Sequence, residues 1–366
     1  MAKSAVHTAS VGWQRPTTDR FQVRGGKPRL RQPSSPRCSA TAPAAAVAGR
    51  SSLLSAAVEK LFNFPPVYAA AVAQARNKIT QRGAKLGIDF NAEVAKLRAA
   101  ADWGQELQAT QDPGLQLPAY YQSSFHAYQQ GNLCWEAAWE ANMVSQFVHA
   151  TVMDPERKHM DPEGDAMLRS NYSTKLKQLM HEACMNTDVR HAVDLGCSTG
   201  LSTLELHRSF PEAQITAVDL SPYFITVAKH DQRHRQLEAG NTEPIHFRHA
   251  AAEATNLPDS SQNLVSACLL FHELPQSAAQ NIVREAFRIL KPGGVLSIME
   301  MNPASPSFKV VLGNPIAYAA FKSTEPWLLE YMALDLGGLA QSVGFVHVAE
   351  TSSTPCHKTF VACKSA

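Results

Sequence analysis

From residue 190 onward the chain alternates short apolar runs with longer stretches whose apolar residues recur at helical spacing. The runs at 191–196, 214–220, 245–250, 264–271 and 294–301 predict strands. The segments near 201–210, 222–238 and 277–291 predict the helices between them. Leu264 to Phe271 is the densest apolar stretch and has the length of a central parallel strand buried on both faces. Ser221-Pro222 supplies an N-cap and a Pro in the first helical position. Ser277 with Gln280 reads as a capping box, and Lys291-Pro-Gly-Gly294 turns the chain into the fifth strand. After a helix near 325–343, Phe345 to Thr351 and Thr359 to Lys364 read as strands joined by a short Ser/Thr/Pro loop. Two strands with no helix between them imply an antiparallel end to the sheet. The expected fold class is α/β: a seven-stranded, mostly parallel sheet with an antiparallel C-terminal pair, preceded by a helical N-terminal region.

That N-terminal region has a different texture. Residues 51–110 read as helix, with breaks at Phe64-Pro-Pro66 and Gly87, and Val67 to Leu86 carries apolar residues at helical spacing. Residues 111–135 concentrate aromatic side chains: Tyr120, Tyr121, Phe125, Tyr128 and Trp135, with His126 among them and Trp139 one helical turn further on. Such rings suit a lid over a hydrophobic or planar substrate. They equally suit the task of tying the N-terminal helices onto the sheet, and both readings stand at this point. Helices are expected over Glu136 to Met153 and roughly Ala166 to Met185. Three regions result: a leader over 1–45, a helical region with the aromatic segment over 46–165, and a cofactor-binding domain over 166–366.

The chain has 366 residues, 45% of them hydrophobic, which is ordinary for a folded protein of this size. No run of 18 apolar residues occurs, so no membrane span is expected. The net charge of +2 is unevenly spread: residues 1–50 hold nine Lys or Arg against Asp19 alone, which leaves −6 for the remainder. A −6 body argues against a nucleic-acid partner held by a general basic field. The first 50 residues are rich in Ser, Thr, Ala, Pro and Arg and lack a signal-peptide core, as an organellar transit peptide does. Ser34 to Pro43 has the look of a chloroplast cleavage region; the abundance of Arg makes a mitochondrial address the alternative, and a plain basic tail a third. The seven cysteines form no Cys-x-x-Cys and no zinc spacing with His, so reduced thiols and no metal are expected. Cys268 is expected in the core and Cys197 exposed in a turn. Nothing in the sequence sets the oligomeric state.

The chemistry concentrates at residues 191–200, His-Ala-Val-Asp-Leu-Gly-Cys-Ser-Thr-Gly, where a strand runs into a Gly-rich turn and then a helix. The neighbouring strand ends at Asp219, 23 residues after Gly196, where a carboxylate meets a ribose diol. An adenosine-type cofactor follows. A dinucleotide turn requires Gly-x-Gly-x-x-Gly, but Ser198 holds the middle position. Tyr318 to Lys322 repeats a dehydrogenase spacing without the pyrophosphate turn to accompany it.

Asp194-x-Gly196-x-Ser198-x-Gly200 closely resembles motif I of the class I S-adenosylmethionine-dependent methyltransferases, and the sequence is similar to their type 11 domain over about 190–366. The resemblance implies a Rossmann-like sheet and S-adenosyl-L-methionine as cofactor, with Asp194 orienting its amino group directly or through water. It implies cofactor contacts from Gly196, Cys197, Ser198, Gly200, Asp219, Leu220, Ala252, Glu253 and Leu270. The family often has an Asp where this chain has Ala251, so the adenine contact would fall to Glu253 or to backbone groups. It also puts His272 and Glu273, at the end of the fourth strand, in the catalytic pocket. There a neutral imidazole could take a proton from a hydroxyl nucleophile. Tyr120, Tyr121, Phe125, His126, Tyr128 and Trp135 are the candidate substrate and lid residues. The implied reaction is in-line attack of a nucleophile on the sulfonium methyl, aided mostly by positioning, which contributes roughly 7–11 kcal/mol. The expected acceptor is a small apolar or aromatic plastid molecule. A non-catalytic cofactor-binding assembly or regulatory factor, and an NAD(P)-dependent oxidoreductase, are the alternatives.

Overall fold

In a computed structural model the described residues are 65–365, except 124, 127, 184, 240–244, 315–317, 319–320 and 322–323. The leader over 1–45, the helix expected over 51–64, and Cys38, Cys184 and Lys322 lie outside the described residues. The elements follow in chain order. Helices α1 (Pro65–Lys85), α2 (Phe90–Arg98), α3 (Trp103–Gln108), α4 (Trp135–His149) and α5 (Gly164–Glu182) precede the sheet. Then come β1 (His191–Leu195), α6 (Leu201–Ser209), β2 (Gln214–Asp219), α7 (Pro222–Ala239), β3 (His246–His249) and β4 (Gln262–Cys268). The chain ends with α8 (Gln276–Ile289), β5 (Leu290–Met301), α9 (Pro306–Gly313), α10 (Leu328–Met332), α11 (Leu336–Val343), β6 (Phe345–Ser352) and β7 (His357–Lys364).

The strands form one seven-stranded sheet in the order β3-β2-β1-β4-β5-β7-β6. β1 to β5 run parallel, and β7 pairs antiparallel with both β5 and β6. The fold class expected from the sequence is the one observed. Period-two alternation decides which face each side chain joins. Val193, Leu195, Val265, Ala267, Leu296 and Ile298 pack with Ile282, Val283 and Ala286 of α8 on one face. Ala192, Leu264, Cys268, Val295 and Met299 pack with Leu168, Tyr172 and Leu176 of α5 on the other. Burial on both faces explains why these strands read as apolar runs. The order reverses between β1 and β4, and in an open parallel sheet that switch point opens a crevice beyond the carboxyl ends of the strands.

Local differences from the expected elements have identifiable causes. β4 stops at Cys268, because Leu269 turns to a φ of +58° and Phe271–Glu273 forms a short 3₁₀ turn. Ser277 caps nothing: α8 starts at Gln276 behind Pro275, and the Gln276 N–H is taken by Glu330 Oε2 of α10 at 2.8 Å. The helix expected near 325–343 is two, α10 and α11, with Asp335 capping the second by accepting from Gly338 N at 2.9 Å. Ser221 does cap α7, its Oγ accepting from Phe224 N at 3.2 Å. Among the described residues no helix is long and apolar enough to cross a membrane.

The helical layer is tied to the sheet by one buried hydroxyl. Tyr172 of α5 donates to Ser297 Oγ of β5 at 2.9 Å and shares a 2.8 Å hydrogen bond with Ser266 Oγ of β4. Tyr172→Phe would leave two buried serine hydroxyls short of a partner, at a cost of about 1–3 kcal/mol. Urea unfolding of the full chain checks this: a lower midpoint with unchanged slope is expected, and an unchanged midpoint would contradict the role.

Candidate functional site

At the end of β1 the backbone turns through Gly196 (φ +66°), Ser198 (φ +49°) and Gly200 (φ +92°). Gly196 is required twice over: its φ is left-handed, and a Cβ there would meet Leu270 Cδ1 at 2.6 Å. The turn is held by its neighbour, since Cys197 N donates to Val218 O at 3.0 Å. Asp219, at the end of β2, accepts from Ser198 N and from Ser221 N, each at 2.8 Å. One carboxylate thus fixes both the glycine turn and the start of α7. Asp194 lies beneath the turn, fully buried, and its Oδ2 accepts from Ser202 Oγ at 2.8 Å and Thr203 Oγ1 at 2.6 Å. Its Oδ1 has no hydrogen-bond partner. Burial pushes both carboxyls up, to about 6 each.

A cavity of about 600 Å³ opens above this turn. Gly196, Cys197, Ser198, Asp219, Leu220, Ala252, Glu253 and Leu270 line it, as do His272 and Glu273. Of the sequence-derived cofactor residues, Asp194 and Gly200 are not in its wall. Gly200 supports the turn, where a Cβ would meet Phe247 Cζ at 2.8 Å. Cys197 is buried rather than exposed, its thiol donating to Ser198 O at 3.6 Å and pushed well above its ordinary range by burial.

The aromatic segment divides between its two readings. Tyr120, Tyr121, His126 and Tyr128 line the cavity. Tyr120 OH donates to Glu253 Oε1, and Tyr121 OH donates to Asp219 Oδ1 at 3.3 Å. Phe125 and Trp135 are absent from that wall. Trp135 instead stacks on Trp139 at 5.3 Å and 12° and meets Tyr223 edge-on at 4.9 Å, so it ties α4 to α7. Phe125 is buried against the His126 ring at 4.0 Å. A further clamp comes from His249 at the end of β3, whose Nδ1 accepts from Asp112 N at 2.9 Å while Nε2 donates to Leu220 O at 3.0 Å.

The surroundings of His272 disfavour the neutral ring that a general base requires. Burial alone would lower its pKa, but Glu300, with both oxygens 3.0–3.1 Å from Nδ1, pushes it up to about 10. Burial pushes Glu273 up to about 7 against the opposing pull of His126 and His272. His126 Nε2 lies 3.0 Å from Glu325 Oε1 and 3.6 Å from Glu273 Oε1. Asn132 Nδ2 donates to Glu273 Oε2 at 3.3 Å. Glu325 and Asn132 carry no local sequence signal; only the fold brings them to the His272-Glu273 turn. A second polar group also lines the cavity, where Ser145, His149 and Arg169 all engage Asp165, at 2.8, 2.7 and 3.0 Å. Burial would raise the Asp165 carboxyl, but Arg169 and His149 hold it well below the usual range.

Residues 193–298 match the family model described as a methyltransferase domain. The chain is 34% identical over 135 residues to malonyl-[acyl-carrier protein] O-methyltransferase of Hahella chejuensis, covering 36% of this chain and 42% of that protein. It is 28% identical over 144 residues to the mitochondrial 2-methoxy-6-polyprenyl-1,4-benzoquinol methylase of Caenorhabditis elegans, covering 39% and 47%. The chain thus spans less than half the length of these curated relatives. A Haemonchus contortus phosphoethanolamine N-methyltransferase 2, solved with S-adenosyl-L-methionine, aligns over 53% of each chain at 15% identity and a TM-score of 0.40. The cofactor that fits the site is S-adenosyl-L-methionine. The buried, unpartnered Asp194 Oδ1 suits a cationic amino group, and the cradle at Gly196 admits no side chain.

Among the contacts that hold the described residues of 119–128 at the cavity are Tyr120 to Glu253, Tyr121 to Asp219, and His126 N to Thr324 O at 3.2 Å. Replacing both Tyr120 and Tyr121 by Phe removes two of them. Amide hydrogen exchange of that segment is expected to accelerate at least several-fold while β1 and β4 keep their protection. Unchanged exchange would show that the hydroxyls do not hold the segment.

Proposed function

We propose that this chain, whose residues 193–298 match a methyltransferase domain, transfers the methyl group of S-adenosylmethionine to a small apolar or aromatic acceptor in the chloroplast. The observation that carries the reading is the meeting of three features at the carboxyl edge of the sheet. A side-chain-free turn at Gly196 and an acid aimed along that turn at Asp219 line one cavity, and a half-satisfied buried acid at Asp194 lies directly beneath the turn. When bound, the cofactor supplies a methyl group made electrophilic by the sulfonium charge. Asp219 would accept from the ribose hydroxyls, and Asp194 Oδ1 would hold the amino group. Gly196 and Leu270 would shape the floor, and Glu253 would stand at the adenine end in place of the acid that Ala251 lacks. Tyr120 and Tyr121, closing from the N-terminal segment, would exclude water, which leaves catalysis mainly to positioning. His272 and Glu273 form the acceptor side, and His272, held as imidazolium by Glu300, positions rather than takes a proton. Elsewhere the wall includes Ile79, Val144, Leu274, Phe308 and Phe321, which suits an apolar acceptor. The C. elegans relative, named for a polyprenyl benzoquinol, fits such a wall.

The direct test incubates the full chain with methyl-labelled S-adenosylmethionine and a fractionated chloroplast extract. Label is expected in a small organic-soluble product; label in protein alone, or in no fraction, would contradict the acceptor class. Fluorescent protein fused behind residues 1–50 is expected to co-localise with chlorophyll, and a cytosolic or mitochondrial signal would refute the compartment.

Asp219→Ala should weaken S-adenosylhomocysteine binding by about 1.5–3 kcal/mol, roughly 10- to 150-fold, with the fold intact by circular dichroism. The pH dependence has a definite sign. Both Asp194 and Asp219 must be ionised to serve, and both hold their protons up to about 6. Affinity is therefore expected to be flat above neutrality and to fall as pH drops through about 6. Stability of the free protein runs the other way. The contribution of these raised carboxyls is fully present below the unfolded value of about 3.9 and is lost as pH rises through about 6. Calorimetry from pH 5 to 8 checks the first, and affinity that is flat across this range would contradict it.

A further inference from the structure

We infer that His126, His272, Glu273 and Glu325 form a divalent-cation site on the acceptor side of the cavity, with donors best matched to zinc. One ligand atom from each of His126, His272 and Glu273 can be chosen so that all lie within 4.8 Å of one another. Nitrogen and oxygen ligands sit about 2.0–2.2 Å from zinc, so an ion fits among atoms at these separations with small adjustments. Two histidines and a glutamate with an open position are a donor set that catalytic zinc uses.

The surroundings assign each donor atom. Glu300 occupies His272 Nδ1 with both oxygens, at 3.0 and 3.1 Å, which leaves Nε2, whose proton a bound ion would displace, for a ligand role. Glu300 is itself fixed by Phe271 N at 2.6 Å and Met301 N at 3.1 Å, the carboxylate support that orients metal-binding imidazoles. Asn132 holds Glu273 Oε2, while Glu273 Oε1 faces His126 Nε2 at 3.6 Å. Glu325 brings its Oε1 to 3.0 Å from the same nitrogen, and its buried Oε2 has no hydrogen-bond partner. That unpartnered oxygen, on a residue only 5% exposed, is the second sign of a missing cation. Three carboxylates, Glu273, Glu300 and Glu325, here face two imidazoles. His126 is held for this position at a φ of +47°, strain of the kind stored at ligand clamps. Because His126 arrives with the segment that covers the cavity, the site is complete only when that segment is docked. On the methyl-transfer reading, the ion would hold an oxygen of the acceptor beside the cofactor.

The experiment uses the ion alone, so its failure is separable from failure of the methyl-transfer reading. The chelator-stripped full chain is titrated with Zn²⁺ by calorimetry and with Co²⁺ by visible absorption, without cofactor or acceptor. A single ion per chain is expected, with the Co²⁺ bands of a low-coordinate nitrogen and oxygen site. His126→Ala and Glu273→Gln should each weaken binding at least tenfold, and Glu300→Gln, acting through His272, about 10- to 100-fold. Far-ultraviolet circular dichroism and an unchanged thermal transition serve as the check that each variant is folded. Folded wild-type protein that takes up neither ion, or variants that bind as tightly as wild type, would overturn the site. If the variants do not fold, the wild-type Co²⁺ spectrum decides alone, since thiolate charge-transfer bands would place the ion on cysteines and overturn the proposal.

Discussion

The hydrogen bonds converging on the Asp219 carboxylate organise this site. One oxygen takes the Ser198 N–H of the glycine turn, and the other takes the Ser221 N–H at the head of α7 and the Tyr121 hydroxyl of the covering segment. Three separate pieces of chain thereby refer to one atom group at the end of β2. The carboxylate is charged only because those donors offset part of its burial, and burial still pushes its pKa up to about 6. Removing it would release the turn, the helix start and the cover together. The site can therefore be rigid where it cradles a ligand and yet gated from a segment far away in sequence.

The same economy recurs on the acceptor side. Glu300 orients His272 by accepting at Nδ1, and it also accepts the backbone N–H groups of Phe271 and Met301. This carboxylate at the end of β5 sets the shape of the turn that follows β4. The parallel register makes this possible, since Cys268 pairs with Met299 and both strands expire at the same edge. Position on the sheet, more than local sequence, decides which acids and imidazoles meet.

Much of the fold was legible because its signals are local. Apolar runs with period-two burial mark the strands, and Gly196 and Asp219 announce the turn and its acid from spacing alone. The errors are those that local reading must make. Ser277 has the chemistry of a cap, but Pro275 starts the helix one residue early and Glu330 from another helix takes the free N–H. Trp135 and Tyr121 look alike in sequence; only packing sends Trp135 into a ring stack with Trp139 and Tyr121 to Asp219. The His126, Glu273 and Glu325 group joins residues up to 199 positions apart, with no motif to connect them. Titration behaviour was also out of reach, since the charge on His272 is set by Glu300 rather than by its own type.

The account rests on the Gly196 turn and its two acids holding an adenosyl sulfonium cofactor rather than a dinucleotide. Titration calorimetry of the full chain with S-adenosylhomocysteine and, separately, with NAD tests this most directly. Saturable binding of S-adenosylhomocysteine with no heat from NAD is expected. Tight NAD binding with no response to S-adenosylhomocysteine would contradict it.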